Sequence, residues 1–391
     1  MSSSETAIHP AVDARRLTRA YIHLDRLTRN LRLLAEQVGG RPLWPVVKAD
    51  AYGHGARIVA RHLLGLGYDT LGVADVEEAA VLVEAGIRAT LLVLSPTLPE
   101  HAEALVAYGC EPVVCTAEMV EALARAAQAR GTRIAVHLKV DTGMGRAGIR
   151  PDEVVAFLER CRHLPALRVR GLMSHFPRAD EADKAFSLEQ IAVFRRVVEA
   201  TRGCAIEVRH MANSAAILDL PASHLDAVRP GIALYGLRPS REMQNPRVRE
   251  LEPVLEWRTR IAFLKEVPAG TGLSYGHAFR TARPSLIATV PVGYADGLSR
   301  RLSNDLALLV RGVRCPQVGR ITMDMSLLDV TALRGTVALG DEVVILGRDG
   351  DDEITADELA TKLGTINYEI VSTIAHRVPR VVVGLPTSRR P

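Results

Sequence analysis

The sequence predicts an α/β protein in which an N-terminal (β/α)8 barrel of the TIM type is followed by a C-terminal, mostly antiparallel β domain. Three observations support this. The chain has 391 residues, enough for about two domains. Short β-rich runs alternate with helical runs from Leu43 to Val228, and after about residue 245 the runs are separated only by Gly, Pro and Asp turns. Hydrophobic residues make up 48% of the chain, which excludes disorder as the main state.

Eight β-rich runs, spaced widely enough for a strand, a helix and two loops, define the predicted barrel. They begin at Leu43, Thr70, Thr90, Glu111, Arg133, Leu167, Ala205 and Asp226. Alternation of this kind implies parallel strands joined by helical crossovers. An open, doubly wound sheet is the alternative that the pattern leaves open.

The eighth run is followed by GIALYG rather than by a helical pattern. A helix before the first strand, in LDRLTRNLRLLAEQV, therefore supplies the eighth helix in this interpretation. Its Leu27, Leu31 and Leu34 form an apolar stripe at helical spacing.

These patterns divide the chain into three parts. Residues 1–15 are expected to be a flexible tail, residues 16–245 the barrel and residues 246–391 the β domain. Tyr21–Leu24 has no role in a ring of helices, and we expect it to add a strand to the β domain.

Composition excludes several classes of protein. The net charge of +4 is small and spread along the chain, which argues against nucleic acid as a partner. No apolar run reaches the length of a transmembrane helix. The five cysteines show no Cys-x-x-Cys spacing, and no His, Cys or carboxylate cluster has metal-ligand spacing. With no signal-peptide core in the first sixteen residues, we expect a cytoplasmic protein without a metal site.

One motif imitates a nucleotide site. Gly143–Gly148 matches G-x-G-x-x-G after a predicted strand. The next strand, LRVRGLMSH, lacks the acidic residue that would hold a ribose. We interpret the motif as a tight glycine loop at the catalytic face of a barrel.

A second motif imitates a calcium loop, because Asp349, Asp351 and Glu353 alternate as in an EF-hand. The sixth position must be Gly and is Ile354, so the geometry fails. We predict an acidic turn followed by a helix capped by Thr355.

Polar residues at the ends of predicted strands are the candidates for chemistry, since barrel enzymes place their sites at the C-terminal face. Lys48 ends the first strand within VVKADAYGHG. A lysine there either reaches a carboxylate, or has a lowered pKa and forms a Schiff base. Tyr52 in the following loop suits a phosphate contact.

The next strand ends carry basic groups. Lys139 and Arg146 flank DTGMG after the fifth strand, and His175 ends the sixth. Arg146 in a glycine-rich loop either grips a carboxylate or forms a surface ion pair. A lone histidine such as His175 is more often structural.

The seventh and eighth strands end in a further polar group. Asn213 and Ser214 open a helix, where a serine is most often an N-cap but also lies where N–H groups attract phosphate. Arg229 ends the eighth strand, and Gly231 permits close backbone approach. In the second domain, Tyr275 within SYGHAF is a further candidate for chemistry.

Together these segments resemble alanine racemase, a family of pyridoxal-phosphate enzymes. VVKADAYGHG is similar to the family's cofactor-lysine motif. The other matching segments, in order, are KVDTGMGRAG, MSHF, HMANSAA, VRPGIALYG, SYGHAF, VGYADG, RITMDM and INYEI. The resemblance covers about residues 15 to 385.

The resemblance implies a role for each matched residue. The two catalytic acid/bases are Lys48, which also holds pyridoxal 5'-phosphate, and Tyr275 from the partner subunit of a homodimer. Other cofactor contacts are implied at Tyr52, His175, Asn213, Ser214, Arg229, Gly231, Ile232 and Tyr368. Arg146 and Met323 bind the substrate carboxylate, and Lys139 matches a lysine that members often carry as a carbamate. Thr322 departs from the family, where some members have Cys.

The implied activity is the interconversion of L-alanine and D-alanine, which supplies D-alanine for peptidoglycan. Removing an α-hydrogen on one face and returning it on the other needs two bases, and the cofactor spreads the carbanion's charge. Arg229 only donates hydrogen bonds, so the pyridine nitrogen facing it must remain an unprotonated acceptor.

Three other functions would need different residues. A pyridoxal-phosphate decarboxylase of the same two-domain plan would place a carboxylate, not Arg229, at the pyridine nitrogen. A non-catalytic pyridoxal-phosphate-binding protein would not need a β domain with Tyr275. A racemase of serine or of broad specificity differs only in a few pocket atoms and remains open.

Overall fold

The computed structural model describes residues 16–384. The predicted flexible tail, residues 1–15, lies outside the described residues. The described chain divides into two compact units: one runs from Arg26 to Glu252, and the other joins the described residues up to Asp25 with those from Pro253 onward.

The unit from Arg26 to Glu252 is built on parallel strands, as predicted. Six strands form a continuous sheet in chain order. They are β2 (Thr70–Val73), β3 (Thr90–Val93), β4 (Glu111–Val114), β5 (Ile134–Lys139), β6 (Leu167–Met173) and β7 (Val208–His210); β1 belongs to the other unit.

Three parallel bridges close this sheet into a ring: Val46 pairs with Gly72, His210 with Ala227, and Leu43 with Val228. The (β/α)8 barrel is therefore confirmed. The first and eighth runs are not full strands, however, and pair only through these bridges. The first run contains Pro45, which has no N–H to donate to a ladder.

Helices follow the strands in the predicted order. They are α1 (Leu24–Gln37), α2 (Lys48–Tyr52), α3 (Ala56–Gly65), α4 (Val76–Glu84), α5 (Ala102–Ala107), α6 (Ala117–Ala129), α7 (Val154–Arg162), α8 (Ala185–Ala200) and α9 (Ser214–Asp219). The α1 stripe of Leu27, Leu31 and Leu34 is fully buried. Asn30 of α1 donates to the carbonyl of Leu234, so α1 lies against the segment that follows the eighth strand.

The other unit is mostly antiparallel, as predicted. Its main sheet has the order β14-β13-β16-β8-β1-β18, with β17 paired to β16; a second sheet has the order β15-β12-β9, and β10 pairs with β11. The strands are β1 (Arg19–His23), β8 (Leu255–Arg260), β9 (Phe263–Val267), β10 (Gly272–Leu273), β11 (Phe279–Arg280), β12 (Ser285–Val290), β13 (Ala307–Val310), β14 (Val313–Pro316), β15 (Ser326–Asp329), β16 (Glu342–Asp349), β17 (Asp352–Ile354) and β18 (Arg380–Val383).

The N-terminal strand β1 pairs with β8 antiparallel and with β18 parallel. Ala20 and Ile22 point into the core of this unit and are fully buried, whereas their neighbours are half-buried, which is the period of two that a strand requires.

Two helices complete this unit, α10 (Ala356–Leu363) and α11 (Asn367–Ser372). Thr355 caps α10 by accepting the N–H of Glu358, as predicted. In the described part of the chain, no helix is both long enough and apolar enough to cross a membrane.

Candidate active site

The barrel brings the predicted strand-end residues to one face. Lys48 directly follows the first strand, Lys139 is the last residue of β5, and His175 lies two residues after β6. Ser214 opens α9 after β7, and Arg229 follows the bridge at Val228. Because all five follow the carboxyl ends of parallel strands, they lie at the face where barrel enzymes carry out chemistry.

The backbone after Lys48 turns through a left-handed helical turn. Ala49, Asp50, Ala51 and Tyr52 all have φ between +51° and +55°, a region that non-glycine residues avoid. Strain of this kind persists only where surrounding contacts hold it, and it is concentrated at functional sites.

Two carboxylates hold this turn. Glu78 accepts the N–H of Ala49 at 2.6 Å and the N–H of Ala74 at 2.8 Å. Asp50 accepts the N–H of Ala56 at 2.7 Å. The turn that carries Lys48 is thus fixed to α4 through Glu78 and to the start of α3 through Asp50.

Lys48 lies among other cations. Burial lowers the pKa of its ammonium, and Arg146 and Arg229 lower that pKa further, while Glu78 opposes them. His175 is subject to the same positive charge. Its pKa is well below the usual range because of burial and because Arg229, Arg146, Lys139 and Lys48 are all near it. The site therefore concentrates positive charge and is suited to anionic ligands.

Lys139 is also enclosed, with 3% of its surface exposed. Burial, Arg146 and Arg229 lower the pKa of its ammonium. A buried ammonium beside two guanidinium groups is unfavourable unless something neutralises it.

The glycine-rich loop after β5 folds on its own aspartate. Asp141 accepts the N–H of Gly143 at 2.9 Å and the N–H of Gly145 at 3.1 Å. These N–H groups are engaged by a carboxylate of the same chain, which agrees with the interpretation of a tight loop rather than of a nucleotide site. The loop presents Arg146 on the surface.

A second cluster joins the ends of strands one, seven and eight. The Ser214 hydroxyl oxygen accepts the N–H of Gly231 at 2.8 Å and the N–H of Ala233 at 3.2 Å. A Cβ at Gly231 would lie 2.6 Å from the Tyr52 hydroxyl, so only glycine permits this approach. Ile232 follows and begins a buried turn of 3-10 helix.

The N-cap of α9 is Asn213, not Ser214. The Asn213 side-chain oxygen accepts the N–H of Ala216 at 3.0 Å. The reason is geometric: Asn213 has the extended backbone of a cap, whereas Ser214 is already the first helical residue. The Ser214 hydroxyl is thereby left to bind the Gly231 loop.

Arg229 is deeply buried, with 4% of its surface exposed. Its guanidinium donates to the carbonyl oxygens of Ser174 at 2.8 Å and of Met211 at 3.2 Å, and to Nδ1 of His210 at 2.5 Å. Burial lowers the pKa of Arg229 to about 9, so the group still carries its charge at neutral pH. Its Nη2 also lies 3.5 Å from Nδ1 of His175.

The remaining predicted residues lie in the other unit. Tyr275 begins a strained turn, with Ser274 at φ +60°, and the tyrosine is 71% exposed. Tyr275 and Thr322 line one open depression of this unit. Met323, next to Thr322, is 53% exposed.

Thr322 stabilises the turn from Thr322 to Met325. Its hydroxyl donates to the carbonyl of Met325 at 2.8 Å and accepts the N–H of the same residue at 3.1 Å. Tyr368 is half-buried in α11.

Sequence reasoning missed three residues that support the site. Glu78 holds the turn after Lys48, and His210 and His137 lie behind Arg229, with Nε2 of His210 2.8 Å from Nδ1 of His137. The available signal was a pair of histidines inside apolar strands, at HLK and RHM. Across residues 16–384, no group of three or more His, Cys, Asp or Glu side chains is placed to hold a metal ion.

Comparisons with known proteins agree with this geometry. The family model described as alanine racemase, N-terminal domain, matches residues 22–239, and the model for the C-terminal domain matches residues 254–382. The chain belongs to the alanine racemase family. Curated alanine racemases from Halothermothrix orenii and Desulfovibrio desulfuricans are 46% and 44% identical to it; the matches cover 94% and 93% of this chain and 97% of each relative.

Solved structures of the alanine racemase family share the fold. The alanine racemase of Clostridium difficile 630 superposes with a TM-score of 0.90 at 35% identity, covering 94% of this chain and 96% of that one. The Bacillus anthracis alanine racemase with bound L-Ala-P superposes with a TM-score of 0.88 at 37% identity, covering 95% and 96%. As a member of this family of isomerases the chain is an enzyme, and the resemblance seen in its motifs is confirmed.

Proposed function

We propose that this protein interconverts L-alanine and D-alanine with pyridoxal 5'-phosphate as cofactor, and that it supplies D-alanine for peptidoglycan. One observation supports this above the others. Four cationic side chains act on His175 at the carboxyl end of the barrel, and two of them, Lys48 and Lys139, are lysines whose pKa is lowered. Such a site binds a ligand with two anionic groups and provides an amine base beside it.

The residues present fit the phosphate of the cofactor. The Ser214 and Tyr52 hydroxyls both lie against the backbone of Gly231, at a place where a side chain at Gly231 would collide with Tyr52, and Ile232 follows directly. In this proposal these four residues hold the phosphate. Tyr368 and Asn213 are further cofactor contacts in this proposal. Lys48 would form the covalent bond to the cofactor, and Arg229, with His175 beside it, would donate to the pyridine nitrogen.

When bound, the cofactor supplies the electron-accepting ring that makes the α-hydrogen of the amino acid acidic enough to be removed. The residues of the chain then control the proton. Lys48 takes or returns the α-hydrogen on one face of the substrate, because its lowered pKa gives a neutral amine more readily than an ordinary lysine would. Tyr275 does so on the opposite face.

In this proposal Arg146 and Met323 bind the carboxylate of the substrate. The Arg146 guanidinium matches a carboxylate with two parallel hydrogen bonds. We further propose that Lys139 is carbamylated, since a carbamate would replace a buried positive charge by a negative one next to Arg146. That change removes the like-charge repulsion described above and orients Arg146.

We infer a homodimer with shared active sites. Tyr275 and Met323 are largely exposed in the single chain, although both are proposed to contact substrate. A partner subunit that received them would bury these apolar surfaces. We place the enzyme in the cytoplasm, where its five free cysteines would stay reduced.

The substrate test is direct. The purified protein is incubated separately with L-alanine, L-serine and a panel of other L-amino acids, and D-enantiomer is measured. Preference for alanine supports the proposal, comparable rates with serine support the broader racemase, and no D-product from any amino acid refutes both. Borohydride reduction followed by peptide mapping must place the cofactor on Lys48.

The shared site is tested by subunit exchange. Lys48→Ala and Tyr275→Phe proteins are each inactive or nearly so in this proposal. Mixed dimers would contain one intact site and recover part of the activity. Demonstrated exchange without recovery would refute shared sites.

A further inference from the structure

A series of hydrogen bonds runs from Arg229 through the barrel interior to its opposite end. Arg229 contacts Nδ1 of His210, Nε2 of His210 contacts Nδ1 of His137 at 2.8 Å, and Nε2 of His137 contacts a carboxylate oxygen of Glu111 at 3.0 Å. Glu111 also accepts from Arg170 at 2.5 Å. We name this series, Arg229–His210–His137–Glu111, the Glu111 relay.

The barrel makes room for the relay. His137 and His210 lie on β5 and β7, which are separated by β6. Gly171 on β6 lies between them, and a Cβ there would fall 2.2 Å from Nδ1 of His137. Trp44 meets both imidazoles edge to face, at ring separations of 5.8 and 4.9 Å. Both histidines are fully buried.

The donors and acceptors fix the direction of the relay. Arg229 has no acceptor, so Nδ1 of His210 must be a bare acceptor and the proton of that ring lies on Nε2. This N–H points to Nδ1 of His137, whose proton therefore lies on Nε2 and points to Glu111. Every bond is satisfied only with both rings neutral and donating toward Glu111. Burial, the first cause in both cases, lowers the pKa of each imidazole and agrees with neutral rings.

The opposite orientation of the two histidine protons would be favoured by Arg170. Arg170 lies beside Glu111 at the amino-terminal end of the barrel, with its guanidinium over the Trp44 ring. Without Glu111, this guanidinium would be free to donate to Nε2 of His137, and both histidines would then carry their protons on Nδ1. His210 would present an N–H to Arg229, and the two donors would repel one another.

We propose that Glu111 is a positioning residue for the reaction, which holds Arg229 against the pyridine nitrogen by fixing the tautomers of His137 and His210. The role rests on the proposed function for Arg229. Glu111 begins β4, at the end of the barrel opposite to the catalytic face, and touches neither cofactor nor substrate in this proposal. Its effect passes entirely through the two imidazoles.

The surroundings of Glu111 make this testable by chemical rescue. It lines a cavity of about 470 Å³ at the amino-terminal ends of β4, β5 and β6, together with Cys110, Arg133 and Arg168. In a Glu111→Ala variant, a small carboxylate such as formate would enter from this cavity and replace the missing acceptor. Glu207→Gln is the matched control, because Glu207 pairs with Arg168 and Arg170 at the same end but does not contact His137.

The first measurement needs neither cofactor nor activity. In the full-length protein labelled with ¹⁵N-histidine and purified without cofactor, the ring nitrogen shifts should show His137 and His210 as neutral Nε2–H tautomers. Glu111→Ala should convert them to Nδ1–H, formate should restore them, and chloride at equal ionic strength should not. Glu207→Gln should leave them unchanged. A wild-type protein with Nδ1–H or charged rings overturns the relay, whatever the enzyme's reaction is.

The second measurement is made on the holoenzyme. A displaced Arg229 lets the pyridine nitrogen take a proton, which favours an abortive transamination: the substrate's amino group is retained by the cofactor, and water supplies the carbonyl oxygen of the released pyruvate. Glu111→Ala should lower kcat on the order of tenfold, the effect of one ordinary hydrogen bond. It should raise pyruvate released per racemisation and leave KM for alanine nearly unchanged, and formate should reverse both effects.

If Glu111→Ala does not fold, Glu111→Gln serves instead, since its amide presents N–H groups to Arg170 and disturbs the same contact. A changed tautomer with an unchanged pyruvate ratio overturns the positioning role. A variant that matches Glu207→Gln in both measurements overturns the proposal as a whole.

Discussion

The left-handed turn after Lys48 leads to a quantitative prediction about Glu78. Each non-glycine residue in this conformation costs roughly 1–2 kcal/mol, so the four residues of the turn store about 4–8 kcal/mol. Glu78 accepts one backbone N–H of this turn, that of Ala49, and a hydrogen bond to a charged group contributes about 1.5–3 kcal/mol. The carboxylate therefore offsets part of the strain, and its second backbone bond, to Ala74, anchors it outside the turn.

Glu78→Gln keeps the size of the side chain but replaces one acceptor oxygen by an NH2 group. Of the two bonds from the Ala49 and Ala74 N–H groups, one then goes to a neutral oxygen and the other is lost, because its N–H faces the new NH2 group. The variant should therefore lose about 2–4 kcal/mol of stability. It should also lower the pKa of the Lys48 ammonium further, because Glu78 opposes the neighbouring cations. Denaturant unfolding measures the first effect, and the pH dependence of acylation at Lys48 measures the second.

Glu77→Gln is the control, since Glu77 is the adjacent, exposed residue of α4 and makes only a long ion pair with His101 at 3.8 Å. If the two variants have equal stability, the role of Glu78 is refuted. A second variant tests the strain itself. Ala49 is exposed, and Ala49→Gly should be neutral or stabilise by up to about 1 kcal/mol, whereas in a right-handed helix it would cost about 1 kcal/mol. A loss of that size would show that the turn is not strained.

Further predictions concern the two bases, the carbamate and pH. Tyr275→Phe should reduce racemisation by about 10²–10⁴-fold, and exchange of the α-hydrogen in heavy water should survive better for D-alanine than for L-alanine because Lys48 remains; equal losses would contradict the assignment. Growth with ¹³C-bicarbonate should give a carbamate signal that is absent from Lys139→Ala, and this variant should raise KM for alanine because Arg146 loses its partner. Below about pH 6.5 the unfolding free energy should fall as pH falls, since the unfolded chain binds protons that buried histidines such as His175 do not. His175→Asn should make that slope shallower by up to about 1.4 kcal/mol per pH unit in denaturant titrations, and an unchanged slope would contradict the neutral, buried state of this ring.

The barrel could be predicted from the sequence because each β-rich run is separated from the next by a helical pattern of sufficient length, and only parallel pairing accommodates that alternation. The sequence did not predict that the first and eighth runs pair with each neighbouring strand through only one β-bridge. Pro45 indicates this weak pairing in the first run, since a proline in the middle of a run removes an N–H donor from the ladder.

The barrel residues Lys48, Lys139 and Arg229 lie at or directly after the ends of strands, where a local rule applies: a polar residue at the end of an apolar run lies at the catalytic face. Met323 and Tyr368, in the other unit, follow no such rule and came from the resemblance of motifs. The supporting residues obey no local rule. His137 and His210 meet across β6 only because Gly171 has no side chain, and that contact depends on the register of three strands. The turn after Lys48 contains no glycine at its strained positions, so neither its handedness nor its contact with Glu78 could be predicted from residue type.

The arrangement of charge links binding to catalysis. Glu78, the carboxylate that acts on Lys48, already accepts two backbone N–H groups. The positive charge of Lys48 and Arg229 is therefore available to anionic ligands. The mutual repulsion of these cations also lowers the pKa of Lys48, and bound anions would cancel part of that effect. Burial is its largest cause and would remain, so Lys48 would still be a base when the site is filled.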